Sequence, residues 1–102
     1  MKRIINGRLY DTDTARNIGS WSNNLGAGDF KSCTEVLYKK KTGEYFLYGS
    51  GGPMSVYSEA IGSAGRAGGS DIIPFTGEQA RKWVEEKMTS DEYCALFGPV
   101  EE

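Results

Sequence analysis

Two neighbouring stretches, TEVLYK at residues 34–39 and EYFLY at residues 44–48, decide the fold of this chain. Both are rich in β-branched and aromatic residues, which are enriched in strands. The tripeptide KTG that separates the predicted strands suits a three-residue loop, in which a type I turn is followed by a glycine bulge. We therefore predict a central β-hairpin formed by residues 33–40 and 44–49.

The loop length determines which side chains of this hairpin share a face. A three-residue loop pairs Tyr38 with Phe46, and Val36 with Tyr48, so that these four side chains lie on one face. The other face carries three more large side chains, Leu37, Tyr45 and Leu47. Because both faces are apolar, we expect one to meet helices and the other to be covered by a loop or by a partner.

Shorter elements are predicted before this hairpin. The dipeptide Asn6-Gly7 is typical of a tight turn and would join strands at residues 2–5 and 8–10. Acidic and hydroxyl residues that suit helix N-caps come next, and they predict a short helix over residues 14–19. Residues 19–31 are rich in Gly, Ser and Asn, which indicates a loop.

After the hairpin, the chain is rich in glycine until its last quarter. The second strand is expected to run directly into a glycine loop at residues 49–53. A short helix over residues 54–61 would follow, and then a flexible glycine-rich segment at residues 62–70. Residues 71–75 indicate a strand in which Pro74 favours an edge position or a strand end.

Two capping boxes, TGEQ at residues 76–79 and TSDE at residues 89–92, predict two C-terminal helices. Apolar residues recur at helical spacing after each box, and Gly98-Pro99 ends the second helix. Taken together, these elements predict a single α+β domain over residues 1–102. We expect a small antiparallel sheet with a central β-hairpin packed against the C-terminal helices.

Charge is unevenly distributed along the 102 residues, whose net charge is −2. Residues 1–76 carry nine basic and seven acidic side chains, whereas residues 77–102 carry three basic and seven acidic. The net negative charge argues against direct nucleic-acid binding by phosphate neutralisation, and the acidic C-terminal quarter could contact a basic partner. No leader and no membrane-spanning apolar run is evident, so we expect a soluble cytoplasmic protein.

The chain has no histidine. This excludes Cys–His and Ser–His nucleophile pairs, and zinc sites that depend on imidazole. Asp11 and Asp13 suit helix capping, and the alternative is that they hold a hard cation together. We predict no catalytic residues, no metal and no cofactor, and therefore a protein that is not an enzyme.

Glycine loops and one basic turn offer alternative ligand sites. Residues 49–53 do not fit the dinucleotide-binding fingerprint, but successive amides there could form an anion-binding nest. Residues 62–70, with Arg66, are a second candidate, so a nucleotide- or anion-binding module is the alternative function. The basic tip Lys39-Lys40-Lys41 could touch phosphate, or could simply keep the hairpin soluble.

An interaction surface is the preferred functional hypothesis, because tyrosine is favoured where one end of a side chain is apolar and the other is wet. The predicted contacts are aromatic residues of the sheet and its loops, one loop arginine and two helix carboxylates. They are Tyr38, Tyr45, Phe46, Tyr48, Tyr57, Arg66, Glu85 and Glu86. The expected partner is a host protein or protein complex, and a monomer and a homodimer both remain open.

Three motifs carry a resemblance that runs nearly end to end. They are IINGRLYDT at residues 4–12, YFLYGSGGPM at residues 45–54 and IIPFT at residues 72–76. With these motifs the chain resembles a family of small uncharacterised proteins carried by phages and conjugative elements of Gram-positive bacteria. Small acidic proteins of this kind include inhibitors of host defence, among them anti-CRISPR proteins. The resemblance therefore implies inhibition of a bacterial defence system, and it supplies no catalytic residues.

Overall fold

In the described part of the chain, a four-stranded antiparallel sheet, two short antiparallel strand pairs and two helices form an α+β fold. The computed structural model describes residues 1–23, 31–52, 57, 59–60 and 66–99. The elements are β1 (Lys2–Ile5), β2 (Arg8–Asp11), β3 (Arg16–Ser22), β4 (Cys33–Lys39), β5 (Tyr45–Gly51), β6 (Glu59–Ala60), β7 (Arg66–Ala67), β8 (Gly69–Phe75), α1 (Gly77–Lys87) and α2 (Ser90–Phe97). The main sheet has the order β3-β4-β5-β8, and β1–β2 and β6–β7 are separate pairs.

The central hairpin is confirmed in the predicted register. Tyr38 lies opposite Phe46, and Val36 lies opposite Tyr48. Gly43 has a φ of 93°, a left-handed conformation that glycine adopts without steric cost. Its amide donates to the Lys40 carbonyl oxygen at 2.9 Å, which closes the three-residue loop.

The predicted glycine loop is wrong for its first three residues, because β5 continues to Gly51. Gly49 lies between Glu35 of β4 and Asp71 of β8, so its backbone belongs to a ladder that has a strand on each side. Amides of a central strand bond the neighbouring strands, which leaves no anion nest at residues 49–51. Residues 53 and 62–65 lie outside the described residues, so a ligand site there stays a prediction.

Both C-terminal helices and both capping boxes are confirmed. The Gln79 amide donates to Thr76 Oγ1 at 3.1 Å, and the Thr76 amide donates to Gln79 Oε1 at 2.8 Å. The same reciprocal pair joins Thr89 and Glu92 at the start of α2. Gly98 ends α2 with a φ of 92°, a positive value that glycine adopts without steric cost. Neither helix in the described part of the chain has the length and apolarity needed to cross a membrane.

Each face of the sheet has its own apolar cluster. The helix-facing cluster is centred on Leu37, Leu47, Ala80, Trp83 and Val84. Partly buried side chains surround it: Ile18, Trp21, Tyr45, Phe75, Met88, Tyr93, Leu96 and Phe97. The opposite cluster is centred on Tyr10, Phe46 and Ile72, with Ile5, Ala15, Tyr38 and Tyr48 packed around it.

The N-terminal hairpin covers the second face of the sheet. Its Asn6-Gly7 turn is confirmed, since both residues have positive φ values, 52° and 77°. The buried Tyr10 ring meets Phe46 edge-on, with 5.5 Å between the ring centroids. The sequence left open whether a loop or a partner covers this face of the sheet. The structure shows that the N-terminal hairpin of the same chain covers it.

The predicted helix over residues 14–19 is wrong, because residues 16–22 form β3. Asp11 does not cap a helix; its Oδ1 accepts the Asp13 amide at 2.9 Å and stabilises a turn. β3 pairs with β4 through an irregularity between Asn17 and Gly19, and Ile18 and Trp21 pack against the helix-facing cluster. The loop predicted at residues 19–31 is therefore wrong for residues 19–22, which belong to β3. Residues 24–30 of that loop lie outside the described part of the chain.

The region between β5 and α1 is described only in part. The predicted helix over residues 54–61 falls largely outside the described residues, and it is wrong at Glu59–Ala60, which pair with Arg66–Ala67 as strands. The strand predicted at residues 71–75 is confirmed and begins at Gly69. It lies at the sheet edge, as Pro74 indicated.

The backbone of Gly49 lies close to the Tyr57 ring, which allows a test by substitution. A Cβ atom at this position would overlap the buried Tyr57 ring. We expect Gly49→Ala to lower the free energy of unfolding by about 1–3 kcal/mol, as overpacking does in a rigid core. Urea denaturation measures this loss.

Gly77→Ala is the matched control, because a Cβ at that first helical residue would meet nothing within 4 Å. We expect it to change the free energy of unfolding by less than about 0.5 kcal/mol. Equal effects of the two substitutions would contradict the packing described for Gly49.

Candidate binding surfaces

The predicted aromatic contacts Tyr38, Phe46 and Tyr48 lie beneath the N-terminal hairpin. Tyr38 stacks on Phe46 with ring centroids 5.2 Å apart and planes inclined by 11°. Phe46 has 0% of its surface exposed, and the two tyrosines are half-buried. These rings form the second core, and the fully buried Phe46 offers no surface to a partner.

Tyr57 and Tyr45 are on the helix-facing side of the sheet. The buried Tyr57 donates its hydroxyl hydrogen bond to Glu35 Oε2, and Trp83 Nε1 donates to Glu35 Oε1 at 3.1 Å. Burial, and then the hydrogen bond to the Glu35 carboxylate, raise the pKa of Tyr57 above its usual value of 10. Tyr45 is half-buried near Phe97. Both tyrosines therefore have structural contacts within the chain.

The remaining predicted contacts lie on β7 and α1. Arg66 lies in β7, and the structure does not describe its side chain. Glu85 and Glu86 are exposed on α1. Glu85 also lines a groove of about 480 Å³ between the two helices, together with Met88, Thr89, Ser90, Tyr93 and Cys94. The described side chains of the predicted set thus lie in different places: on the two faces of the sheet and on the outer side of α1.

Sequence reasoning missed an exposed apolar surface on the N-terminal hairpin. We define the hairpin surface as Ile4 and Leu9, whose exposed fractions are 72% and 50%; Met1, which precedes β1, is 49% exposed. Ile4 and Leu9 are direct cross-strand partners. Among the described residues, Ile73, at 37%, is the other large hydrophobic side chain in the exposed class.

The sequence does contain a signal for this surface. A two-residue turn at Asn6-Gly7 places Ile4 opposite Leu9, and strand alternation puts both on the opposite side from Ile5 and Tyr10. Since Ile5 and Tyr10 pack against the second core, Ile4 and Leu9 point away from it. Once Ile5 and Tyr10 are known to face the core, the turn therefore predicts that Ile4 and Leu9 face outward.

The hairpin surface is held in place from both sides. Arg3 forms an ion pair with Asp71 of β8, and Arg8 Nη1 lies 2.8 Å from Glu44 Oε2, next to the central turn. The N-terminal ammonium group donates to Thr12 Oγ1 at 2.8 Å. Exposed ion pairs contribute little individually, about 0–1 kcal/mol, so the buried Tyr10 is the main anchor and the ion pairs set the orientation.

A second concavity, which we call the turn groove, lies beside Leu9. It has a volume of about 320 Å³ and is lined by Arg8, Leu9, Asp11, Thr14, Ala15, Lys40, Lys41 and Thr42. Glu44 accepts from Arg8, and this hydrogen bond is the main reason that the pKa of Glu44 is lowered and that of Arg8 is raised. Both groups therefore stay charged at neutral pH.

Metal coordination finds no support in the side chains that the structure describes. No group of three or more cysteine, aspartate and glutamate residues in the described ranges is placed to hold a metal ion. Asp11 is buried and bonds the backbone of its own turn, whereas Asp13 is exposed. These two carboxylates have different environments, and the one contact between them is the turn hydrogen bond.

No protein-family model, no curated protein and no solved structure matches this chain. The two features that stand out chemically in the described residues are the exposed apolar pair of the hairpin surface and the cations of the adjoining turn groove. Both lie at the same end of the second core, because Leu9 belongs to both.

The raised pKa of Tyr57 predicts a specific pH dependence of stability. Above about pH 10 the unfolded chain loses the Tyr57 proton while the folded chain retains it. The free energy of unfolding therefore falls as the pH rises. We expect the stability advantage of the wild type over Tyr57→Phe to be constant up to about pH 9 and to shrink from about pH 10 upward. Urea denaturation of both proteins between pH 8 and pH 11 measures it, and an advantage that is unchanged at pH 11 would contradict the prediction.

Proposed function

We propose that this chain is a non-enzymatic protein-binding protein that occludes a bacterial host protein through the hairpin surface. The observation that carries the proposal is the cross-strand pair Ile4 and Leu9, which are 72% and 50% exposed on a well-anchored hairpin. The resemblance to proteins of phages and conjugative elements favours a host-defence target, and a CRISPR–Cas effector is the proposed example.

Energetics support a contact at this position. Scattered apolar residues on a protein surface are ordinary, but two that face each other across a hairpin form a continuous apolar patch. Burying one such side chain against a partner contributes about 1.5–3 kcal/mol. Because Tyr10 and the two arginine ion pairs hold the hairpin before binding, little conformational entropy is lost on association.

Chemistry within the chain supports a binding role over a catalytic one. The sequence contains no histidine. Several carboxylates are used by the fold: for example, Asp11 bonds its own turn, Glu35 accepts from Tyr57 and Trp83, and Glu44 pairs with Arg8. A substrate that used one of these carboxylates would first have to displace its partner within the chain.

We expect Ile4→Ser and Leu9→Ser each to weaken partner binding about tenfold or more, since 1.4 kcal/mol corresponds to a factor of ten. The measurement is affinity capture from lysates of Gram-positive bacteria, with partner enrichment quantified by mass spectrometry for the wild type and each variant. At least one host protein should be enriched by the wild type and lost from both variants.

Ile73→Ser is the matched control, because it makes the same change in an exposed isoleucine of β8 outside the hairpin surface. We expect this variant to capture the same protein as the wild type. Recovery of no specific protein, or equal losses in all three variants, would overturn the proposal.

A further inference from the structure

We propose that the turn groove binds an acidic segment of the partner protein, in which one apolar side chain is flanked by carboxylates. The inference rests on the proposed function, because Leu9 belongs both to the hairpin surface and to the groove. It adds the chemical class of the segment that the partner presents there.

Cations outnumber carboxylates around the groove. Arg8, Lys40 and Lys41 are among its lining residues. The nearby carboxylates are Asp11, in the lining, and Glu44, which is paired with Arg8 and Lys40. Two of the three cations are thus partly neutralised, and the site keeps an excess of positive charge.

Two of the cations are already in fixed positions. The Lys40 ammonium group lies 4.4 Å from the centroid of the Tyr10 ring and 3.4 Å from Glu44 Oε1, and its side chain is only 17% exposed. Arg8 is oriented by its 2.8 Å hydrogen bond to Glu44. A guanidinium has five N–H donors, so Arg8 retains donors for a second carboxylate.

Lys41 is the cation available to an incoming ligand. It is exposed in the three-residue loop after β4, and within the described residues it has no ion-pair partner. An added carboxylate at this position would therefore gain an attractive interaction without displacing an existing one. The interaction would be screened by salt, because the lysine is in contact with solvent.

The rest of the lining favours an acidic protein segment over a nucleic acid. Leu9 and Ala15 supply apolar surface, and Thr14 supplies a hydroxyl group, whereas the Thr42 hydroxyl already donates to Glu44 Oε1 at 3.1 Å. A nucleic acid binds by neutralising a series of phosphates along a basic track. This chain has a net charge of −2, and its basic groove is limited to about 320 Å³. One apolar side chain between two carboxylates matches that size and charge.

The test uses the full chain, labelled with ¹⁵N, and a synthetic peptide, acetyl-Asp-Glu-Leu-Glu-Asp-amide. We expect saturable amide shift changes at Leu9, Ala15 and Lys41, and at least a fivefold weakening between 50 and 300 mM NaCl. Lys41→Glu should weaken peptide binding at least tenfold, and Lys41→Ala about threefold. Lys82→Glu, which reverses an exposed lysine on α1, is the control and should leave the Kd unchanged.

Three results would overturn the inference: no saturable shifts, shifts confined to residues outside the groove, or tighter binding at the same residues by a single-stranded oligonucleotide. Equal binding of acetyl-Lys-Arg-Leu-Arg-Lys-amide would also contradict it. Failure here is distinguishable from failure of the proposed function. If Lys41→Glu still captures the host protein that Ile4→Ser loses, the acidic-segment inference fails and the hairpin surface remains the binding surface.

Discussion

Strand β5 imposes the constraint on which the rest of this structure depends, because consecutive residues Phe46 and Leu47 are both buried on opposite faces of one sheet. A single sheet cannot bury both faces alone, so each needs a cover. The C-terminal helices cover Leu47, and the N-terminal hairpin covers Phe46. The N-terminal hairpin and the C-terminal helices therefore contribute to the core from opposite faces of the sheet.

Local signals in the sequence were sufficient where the structure follows local rules. The KTG loop determined the register of the central hairpin, the Asn6-Gly7 turn located the first hairpin, and Thr76 and Thr89 marked both helix starts. Residues 14–19 show the limit of such rules. Asp11 and its neighbours suit a turn as well as a helix cap. The pairing of β3 with β4, which lies outside this local segment, decides in favour of the turn.

The exposure of individual side chains was harder to predict than the fold, because burial depends on contacts between distant segments. Tyr38 and Tyr48 are good candidates for a protein contact until the N-terminal hairpin is placed over them. Arg3 and Asp71, which help to place it, are 68 positions apart. The same placement leaves Tyr38 and Tyr48 half-buried and turns Ile4 and Leu9 outward, so the position of one hairpin determines the exposure of both pairs. Gly49 is a similar case, since a close approach by Tyr57 explains a glycine that sequence alone assigned to a loop.

The two edge strands of the main sheet restrict how it can associate with other chains. β3 is interrupted by the irregularity between Asn17 and Gly19, and β8 contains Pro74, which has no amide hydrogen to offer. Irregular edges and edge prolines oppose the addition of a further strand, the route by which exposed sheets polymerise into fibrils. These two edges therefore oppose polymerisation through the main sheet in a chain that exposes Ile4 and Leu9. The partner contact proposed for this protein would then proceed through side chains and not through extension of its main sheet.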